Sequence, residues 1–214
     1  MAQPFLVMIA GPNGSGKTTL IEEMRRRGID LGEHINPDEI AQGLEGTYTN
    51  RVMRAQRIAD IRRDECIEAR RSFSFETVMS HPSKIEVLRK AKEANFFVQL
   101  IYIGTDDPRT NVERVALRVA QGGHAVPEDR IVNRWRRSMS LLASAIEASD
   151  RSDIFDNSAA GMINLVSNHE APGKIHTVPQ LVLHFEGRRW QPAYRTKTFP
   201  DWVREYAISP FEHQ

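Results

Sequence analysis

The sequence predicts an α/β fold, a three-layer sandwich around a mostly parallel central sheet with a helical lid. Three observations carry that expectation. Short β-branched and aromatic runs alternate with helical patterns, as they do when parallel strands are joined by crossover helices. The first such run, Phe5–Ala10, leads directly into a glycine-rich loop and a helix. The apolar runs also end repeatedly in acidic or hydroxyl residues, which suits strands whose carboxyl ends share a ligand edge.

Taken in order, FLVMIA at Phe5–Ala10 reads as a buried strand and residues 18–27 as the helix after it. Residues 34–36 end a short second strand. Residues 50–71 form a long Arg-rich helix with Val52, Ile58, Ile61 and Ile67 as its apolar stripe. A third strand covers 73–76, and the helix after it opens near Pro82, a residue suited to a first helical turn. FFVQLIYI at 96–103 is the clearest buried strand. Helices at 108–121 and 127–148 flank Gly122-Gly123-His124. Residues 154–155 and 162–166 read as two further strands, 178–185 as another, and a tail follows with Trp190, Tyr194, Trp202 and Tyr206. Its aromatics imply that the tail packs. The expected organisation is a nucleotide-binding domain over 1–170, with a lid around 108–148 and a C-terminal extension over 171–214 packed on the core.

Composition narrows the function classes. The chain has 214 residues, 40% apolar and 27% charged, enough to bury one core. Its 29 basic and 28 acidic residues give a net charge of +1, which argues against a bulk polyanion binder. Cys66 is the single cysteine, and no two of the seven histidines stand four apart, so neither a disulfide framework nor a metal cage is expected. No apolar run approaches a membrane span. Phe5–Ala10 is too short for a signal segment and lacks a basic lead. A cytoplasmic protein is the expectation, with neither membrane nor nucleic acid as partner.

Gly11-Pro12-Asn13-Gly14-Ser15-Gly16-Lys17-Thr18 satisfies G-x-x-x-x-G-K-[ST] in full, between an apolar strand and a helix. Its glycines let backbone N–H groups curl inward onto phosphate oxygens, and the helix that follows adds its positive dipole end. Lys17 would reach the β- and γ-phosphates, the Thr18 hydroxyl would ligate Mg²⁺, and Thr19 continues the cradle. A nucleoside triphosphate such as ATP is the implied ligand, in the P-loop NTPase version of the fold.

The other strand ends bring carboxylates to the same edge: Asp38 in Asn36-Pro37-Asp38-Glu39, Glu76 beside Thr77, and Asp106-Asp107. Asp38 is expected one strand over from the loop, within reach of a γ-phosphate, with a cap of the helix after it as the lesser alternative. Asp106 and Asp107 precede Pro108 at a helix start, where capping is the natural role. Glu76 ends Phe73-Ser74-Phe75, a half-buried place that is costly for a carboxylate without a cation or donor nearby.

Arg114 and Arg118 stand at i, i+4, as do Arg130 and Arg134, with Arg137 three further. The apolar stripes Val112, Val115, Val119 and Ile131, Trp135, Met139, Leu142 lie about a quarter turn away. Two helices would thus aim arginines at one side around a Gly-Gly hinge. That suits a lid over phosphates, because guanidinium forks neutralise charge on a transferring phosphoryl group. A solvated basic face is the alternative. Nucleic-acid binding is a third reading, weakened by the balanced net charge.

With these residues in hand, the chain resembles the zeta-toxin-like P-loop kinases, in particular their short bacterial branch. The matching segments are GPNGSGKTT at 11–19, NPDEIA at 36–41, FSFETVMS at 73–80, the run from Arg114 to Met139 around RVAQGGHAVPEDRIVNRWRRSM, and FDNS at 155–158. They span most of residues 5–170. The resemblance implies a kinase that uses ATP and Mg²⁺ to phosphorylate a hydroxyl, in zeta toxins that of UDP-N-acetylglucosamine. It implies Asp38 as catalytic aspartate, Glu76 as a substrate contact, and lid arginines among Arg118, Arg134 and Arg137. Thr77 and His124 join Asp38 and Glu76 as candidate substrate contacts.

The expected function is therefore transfer of the γ-phosphate of ATP to a hydroxyl of a small metabolite. The rival is an ATP hydrolase or nucleotide switch acting on a protein, disfavoured because no apolar run ends in a Walker-B aspartate and catalytic glutamate pair. An antitoxin protein that occludes the site is a third class of partner.

Overall fold

The computed structural model describes residues 2–158, 179–193 and 198–212. A seven-stranded sheet runs β2-β3-β1-β4-β5-β6-β7. Its strands are β1 Phe5–Ala10, β2 Glu33–Ile35, β3 Phe73–Thr77, β4 Phe97–Gly104, β5 Arg151–Asp156, β6 Gln180–Glu186 and β7 Arg189–Pro192. The first five pair in parallel, and β6 and β7 add on antiparallel. Central β1 and β4 carry helices on both faces, so their sequences are continuously apolar rather than alternating. Leu6, Met8, Ile9, Leu100 and Ile103 are fully buried.

The helices are α1 Lys17–Arg26, α2 Pro37–Gln42, α3 Tyr48–Glu68, α4 Ser83–Glu93, α5 Pro108–Ala120, α6 Glu128–Ser140 and α7 Leu142–Glu147. On one face of the sheet, Leu20 and Ile21 of α1 pack with Val7, Ile9, Ile101 and Ile103. The opposite layer holds the larger cluster, built from Phe73, Phe75, Phe96, Leu88, Met139, Leu142 and Tyr102. Phe73 stands edge-on to Phe96, with ring centroids 6.1 Å apart, a geometry aromatic quadrupoles favour.

The stretch 127–148, expected as one helix, is two. α6 and α7 meet at Leu141, and the Ser140 hydroxyl donates to the carbonyl of Arg137. That local bond competes with the helix ladder, and no glycine or proline marks the break because both helices bury the same side of the chain. The stripe expected on α3 is also different: Ala55, Ala59, Arg63 and Cys66 are the buried residues, while Ile61 is exposed. Small alanines let the helix approach closely. Arg63 enters the core because Asp60 pairs with it and its guanidinium lies 4.8 Å over the Phe75 ring.

Two strands read as short are longer, β5 reaching from Arg151 and β3 to Thr77. The strand expected at 162–166 lies outside the described residues, as does Tyr194. Near the C-terminus, Trp202, Val203, Ala207 and Ile208 of the segment 201–211 are buried in the larger cluster. The Trp202 ring packs against Gly104, where an added Cβ would lie 2.5 Å from the indole. Its Nε1 donates to Asp156 Oδ1 at 2.9 Å. Among the described residues no helix is long and apolar enough to cross a membrane.

Candidate functional site

Parallel pairing puts the carboxyl ends of β1 through β5 on one edge, where an open sheet binds ligands. The loop 11–16 leaves β1 there. Gly11 holds φ +145°, and a Cβ would lie 2.1 Å from the carbonyl oxygen of Ile103. Gly16 holds φ +99°, with a Cβ position 2.7 Å from Asn157 Nδ2. Both places admit only glycine.

Two asparagine amides hold the loop's carbonyls outward. Asn111 Nδ2 donates to the carbonyl oxygen of Asn13 at 2.6 Å, and Asn157 Nδ2 donates to that of Ser15 at 2.8 Å. A buried chain extends behind Asn111: the Thr105 hydroxyl donates to its Oδ1, and Trp135 Nε1 donates to Thr105 at 3.2 Å. Lys17 folds back onto the loop, its Nζ donating to the carbonyl oxygen of Pro12 at 3.0 Å. With three carbonyls tied away, the cradle presents its amides inward. The Ser15 hydroxyl is buried without a hydrogen-bond partner among the described residues, which is unfavourable unless a ligand oxygen supplies one.

Glu76 is the carboxylate nearest the loop. Its Oε1 lies 3.8 Å from Lys17 Nζ and its Oε2 accepts from the Thr18 hydroxyl at 3.4 Å. Burial lowers the Lys17 pKa from its ordinary value, and the charges of Glu76 and Asp38 oppose that shift while Arg118 reinforces it. Three charged side chains therefore act on one ammonium.

Asp38 sits elsewhere than one strand from the loop. The sheet order places β3 between β1 and β2, so Glu76 is on the neighbouring strand and Asp38 follows the edge strand. The cap of α2 is Asn36, whose Oδ1 accepts from the Asp38 N–H at 2.9 Å. Asp38 is thus left exposed, with its carboxylate uncommitted to capping and its charge felt at Lys17. Asp107 does cap, accepting from Arg109 N–H at 2.8 Å. Thr77 Oγ1 accepts from the Met79 N–H at 3.0 Å and shapes the turn after β3. Thr19 lies in the first turn of α1.

The lid arginines divide. Arg134 Nη1 reaches Asn13 Oδ1 at 3.4 Å. Arg118 Nη2 donates to the carbonyl oxygen of His124 at 3.2 Å, and the His124 ring stacks on Tyr48 of α3 with centroids 5.4 Å apart. Arg137 lines a cleft beside Ser80 and His81 instead of touching the loop. Arg114, paired with Arg118 by the helical spacing, is absent from the lid arginines that the resemblance implies. Its Cβ is 3.4 Å from the Cβ position of Gly14, and both terminal nitrogens are buried without a partner among the described residues. Burial lowers its pKa against the pull of Asp156 and Asp106. The signal in the sequence was its place one turn before Arg118; Asn157 stands in the matching FDNS segment, and Asn111 and Tyr48 carried none.

The donor set fits a magnesium nucleotide. Among the described residues no group of three metal-ligating side chains occurs. Mg²⁺ takes few protein ligands where phosphates and water complete its shell, and Thr18 Oγ1 with Glu76 would serve there. The glycine cradle, the unpartnered Ser15 hydroxyl and the buried Lys17 fit the phosphates.

Known proteins bear on the fold and the family. An uncharacterized protein of Haemophilus influenzae is 29% identical over 139 residues, which are 60% of this chain and 91% of that protein. A chain from the PezAT chromosomal toxin–antitoxin system of Streptococcus pneumoniae superposes with a TM-score of 0.55 at 17% identity, over 73% of this chain and 69% of that one. A chain of the AvrRxo1-ORF1:AvrRxo1-ORF2 structure with sulphate ions gives 0.63 at 15% identity, over 98% of this chain and 65% of that one. The same pair has been solved with ATP, where the TM-score is 0.59 at 14% identity, over 89% and 61%. At these identities the superpositions speak to the fold, a mixed α/β sandwich with a mostly parallel sheet. The family is shown by sequence: the Zeta toxin profile matches residues 1–163, so the chain belongs to the zeta toxin family.

Proposed function

We propose that the protein is an ATP-dependent phosphotransferase whose acceptor is a hydroxyl of a small metabolite. The observation that carries this reading is a complete phosphate loop whose buried Lys17 stands 3.8 Å from Glu76 Oε1, on the sheet edge that also bears Asp38. Family membership supports an ATP-using P-loop enzyme. Lys17 and the loop amides bind the β- and γ-phosphates. Thr18 and Glu76 would hold Mg²⁺, which when bound would neutralise phosphate charge.

Asp38 accepts the proton of the acceptor hydroxyl as its oxygen bonds to the γ-phosphorus. The bond from that phosphorus to the β,γ-bridging oxygen breaks, and ADP leaves with the electron pair. Arg118, Arg134 and Arg114 offset the negative charge spread over the transferring group. Asp38 then releases its proton to solvent. Thr77, Arg137 and His124 belong to the substrate side of the same edge. Nucleotide sugars such as UDP-N-acetylglucosamine are the first acceptors to try. A protein partner that covers the edge, as an antitoxin would, is the corresponding proposal for regulation, and chains co-purifying from the native host would reveal it.

The test is γ-labelled ATP incubated with the purified protein and a metabolite extract. Label entering a small molecule, and lost on Lys17→Ala and on Asp38→Asn, is the expected result. Label released only as inorganic phosphate, and stimulated by a macromolecule, favours the hydrolase reading instead.

A further inference from the structure

We propose that the C-terminal segment 201–211 sets the shape of the phosphate loop from behind, with Trp202, Trp135 and Thr105 as positioning residues for the nucleotide. The inference rests on the reading of that loop as an ATP site, and extends its machinery to a segment past residues 1–163, the span of the family profile. Asn111 and Asn157 tie the carbonyls of Asn13 and Ser15, so whatever fixes those two amides fixes where the cradle's N–H groups point. A side-chain amide presents an oxygen on one side and two donors on the other. Turned by half a rotation, it would set its oxygen against the loop carbonyl and release it.

For Asn111 the orientation is dictated by a chain of donors that begins at Trp135 of α6. An indole N–H can only donate, and Trp135 Nε1 donates to the carbonyl oxygen and to Oγ1 of Thr105, both at 3.2 Å. The Thr105 hydroxyl, having accepted, sends its own proton to Asn111 Oδ1. Asn111 Nδ2 is thereby left facing Asn13, whose carbonyl oxygen it reaches at 2.6 Å. Trp135, Thr105 and Asn111 are all buried, so a broken link leaves a polar group unsatisfied. The C-terminal segment enters at the head of this chain. The ring of Tyr206 stands edge-on to Trp135, with centroids 6.4 Å apart.

Asn157 is held by another aromatic of the same segment. Gly104 and Asp156 face each other across β4 and β5, and the Asn157 N–H donates to the Gly104 carbonyl oxygen at 2.9 Å. Trp202 grips both members of the pair: its ring packs against Gly104, and its Nε1 donates to Asp156 Oδ1 at 2.9 Å. A tail that contributed burial alone would need neither contact, because Val203, Ala207 and Ile208 already enter the core. Each indole N–H instead ends one hydrogen bond or one peptide away from an asparagine that ties the loop.

The test uses the full chain and measures by calorimetry its affinity for the Mg²⁺ complex of the β,γ-imido analogue of ATP, beside the melting temperature of the nucleotide-free protein. Thr105→Val removes the relay hydroxyl at nearly constant volume and should weaken binding on the order of 10-fold, whereas Thr105→Ser should bind as the parent chain does. Trp135→Phe should weaken binding similarly. Combined with Thr105→Val it should weaken binding no further, since both changes break one chain. Trp202→Phe keeps a ring on Gly104 but loses the N–H, and should also weaken binding on the order of 10-fold. Tyr206→Leu, at a half-buried position, carries the segment's part of the test if Trp202→Phe does not fold, with a loss of a few-fold. Variants that melt lower yet bind the analogue like the parent chain overturn the proposal and leave the phosphotransferase reading standing. So does a double variant whose loss is the product of the two single ones. A parent chain that does not bind the analogue overturns that reading, and the proposal with it.

Discussion

The phosphate loop and the arginine cleft lie on one sheet edge and are finished to different degrees. In the loop, the carbonyls of residues 12, 13 and 15 are each tied by a side chain. In the cleft, Arg130, Arg134 and Arg137 have no carboxylate partner among the described residues. Preorganised donors cost nothing to reorient when a ligand arrives, whereas unpaired cations gain most from one. The loop is preorganised by its own side chains, whereas Arg130 and Arg137 stand exposed.

The largest effect should come from breaking the finished side. Lys17→Ala removes the only ammonium in the cradle and should lower phosphoryl transfer by roughly 10³-fold, with thermal stability kept, as a rate assay and a melting curve would show. Asp38→Asn tests the exposed acid: a drop of about 10²-fold or more in turnover is expected, with ATP affinity unchanged by equilibrium binding. Asn157→Ala sharpens the contrast, since it leaves the Ser15 carbonyl untied at a cost of about 1–3 kcal/mol. It should weaken ATP binding and lower the melting temperature together. Tyr48→Ala strips the ring on which His124 stacks and should cost about 1 kcal/mol or less, read as a few-fold rise in the KM for acceptor. Smallest of all is a chemical probe remote from the edge. Burial and the nearby Glu33 push the Cys66 thiol up to about 11, so native protein should resist alkylation at pH 8 and react once unfolded.

Much of this was legible because strands buried on both faces announce themselves as apolar runs, and because G-x-x-x-x-G-K-T has few other uses. Sheet order was not legible. The sequence puts Asp38 nearer the loop in chain position than Glu76, yet β3 inserts between β1 and β2, an order that no local signal announces. The α3 stripe misled for a related reason: Arg63 is buried by its pairing with Asp60 and its stacking on Phe75, partners that only tertiary structure brings. Asn111 could not be found in advance either, since a helix asparagine that ties a loop carbonyl looks like any other until the elements are packed, and Asn157 entered only as part of the matching FDNS segment.

The central claim is that the loop and the Asp38 side of the edge work on two ligands at once, a triphosphate and an alcohol. Phosphorus NMR of the protein with ATP, Mg²⁺ and a metabolite extract tests it in a single spectrum. The account predicts a new phosphomonoester resonance that grows in step with ADP and is absent with Asp38→Asn. Growth of inorganic phosphate alone, at the same rate in both proteins, would contradict it.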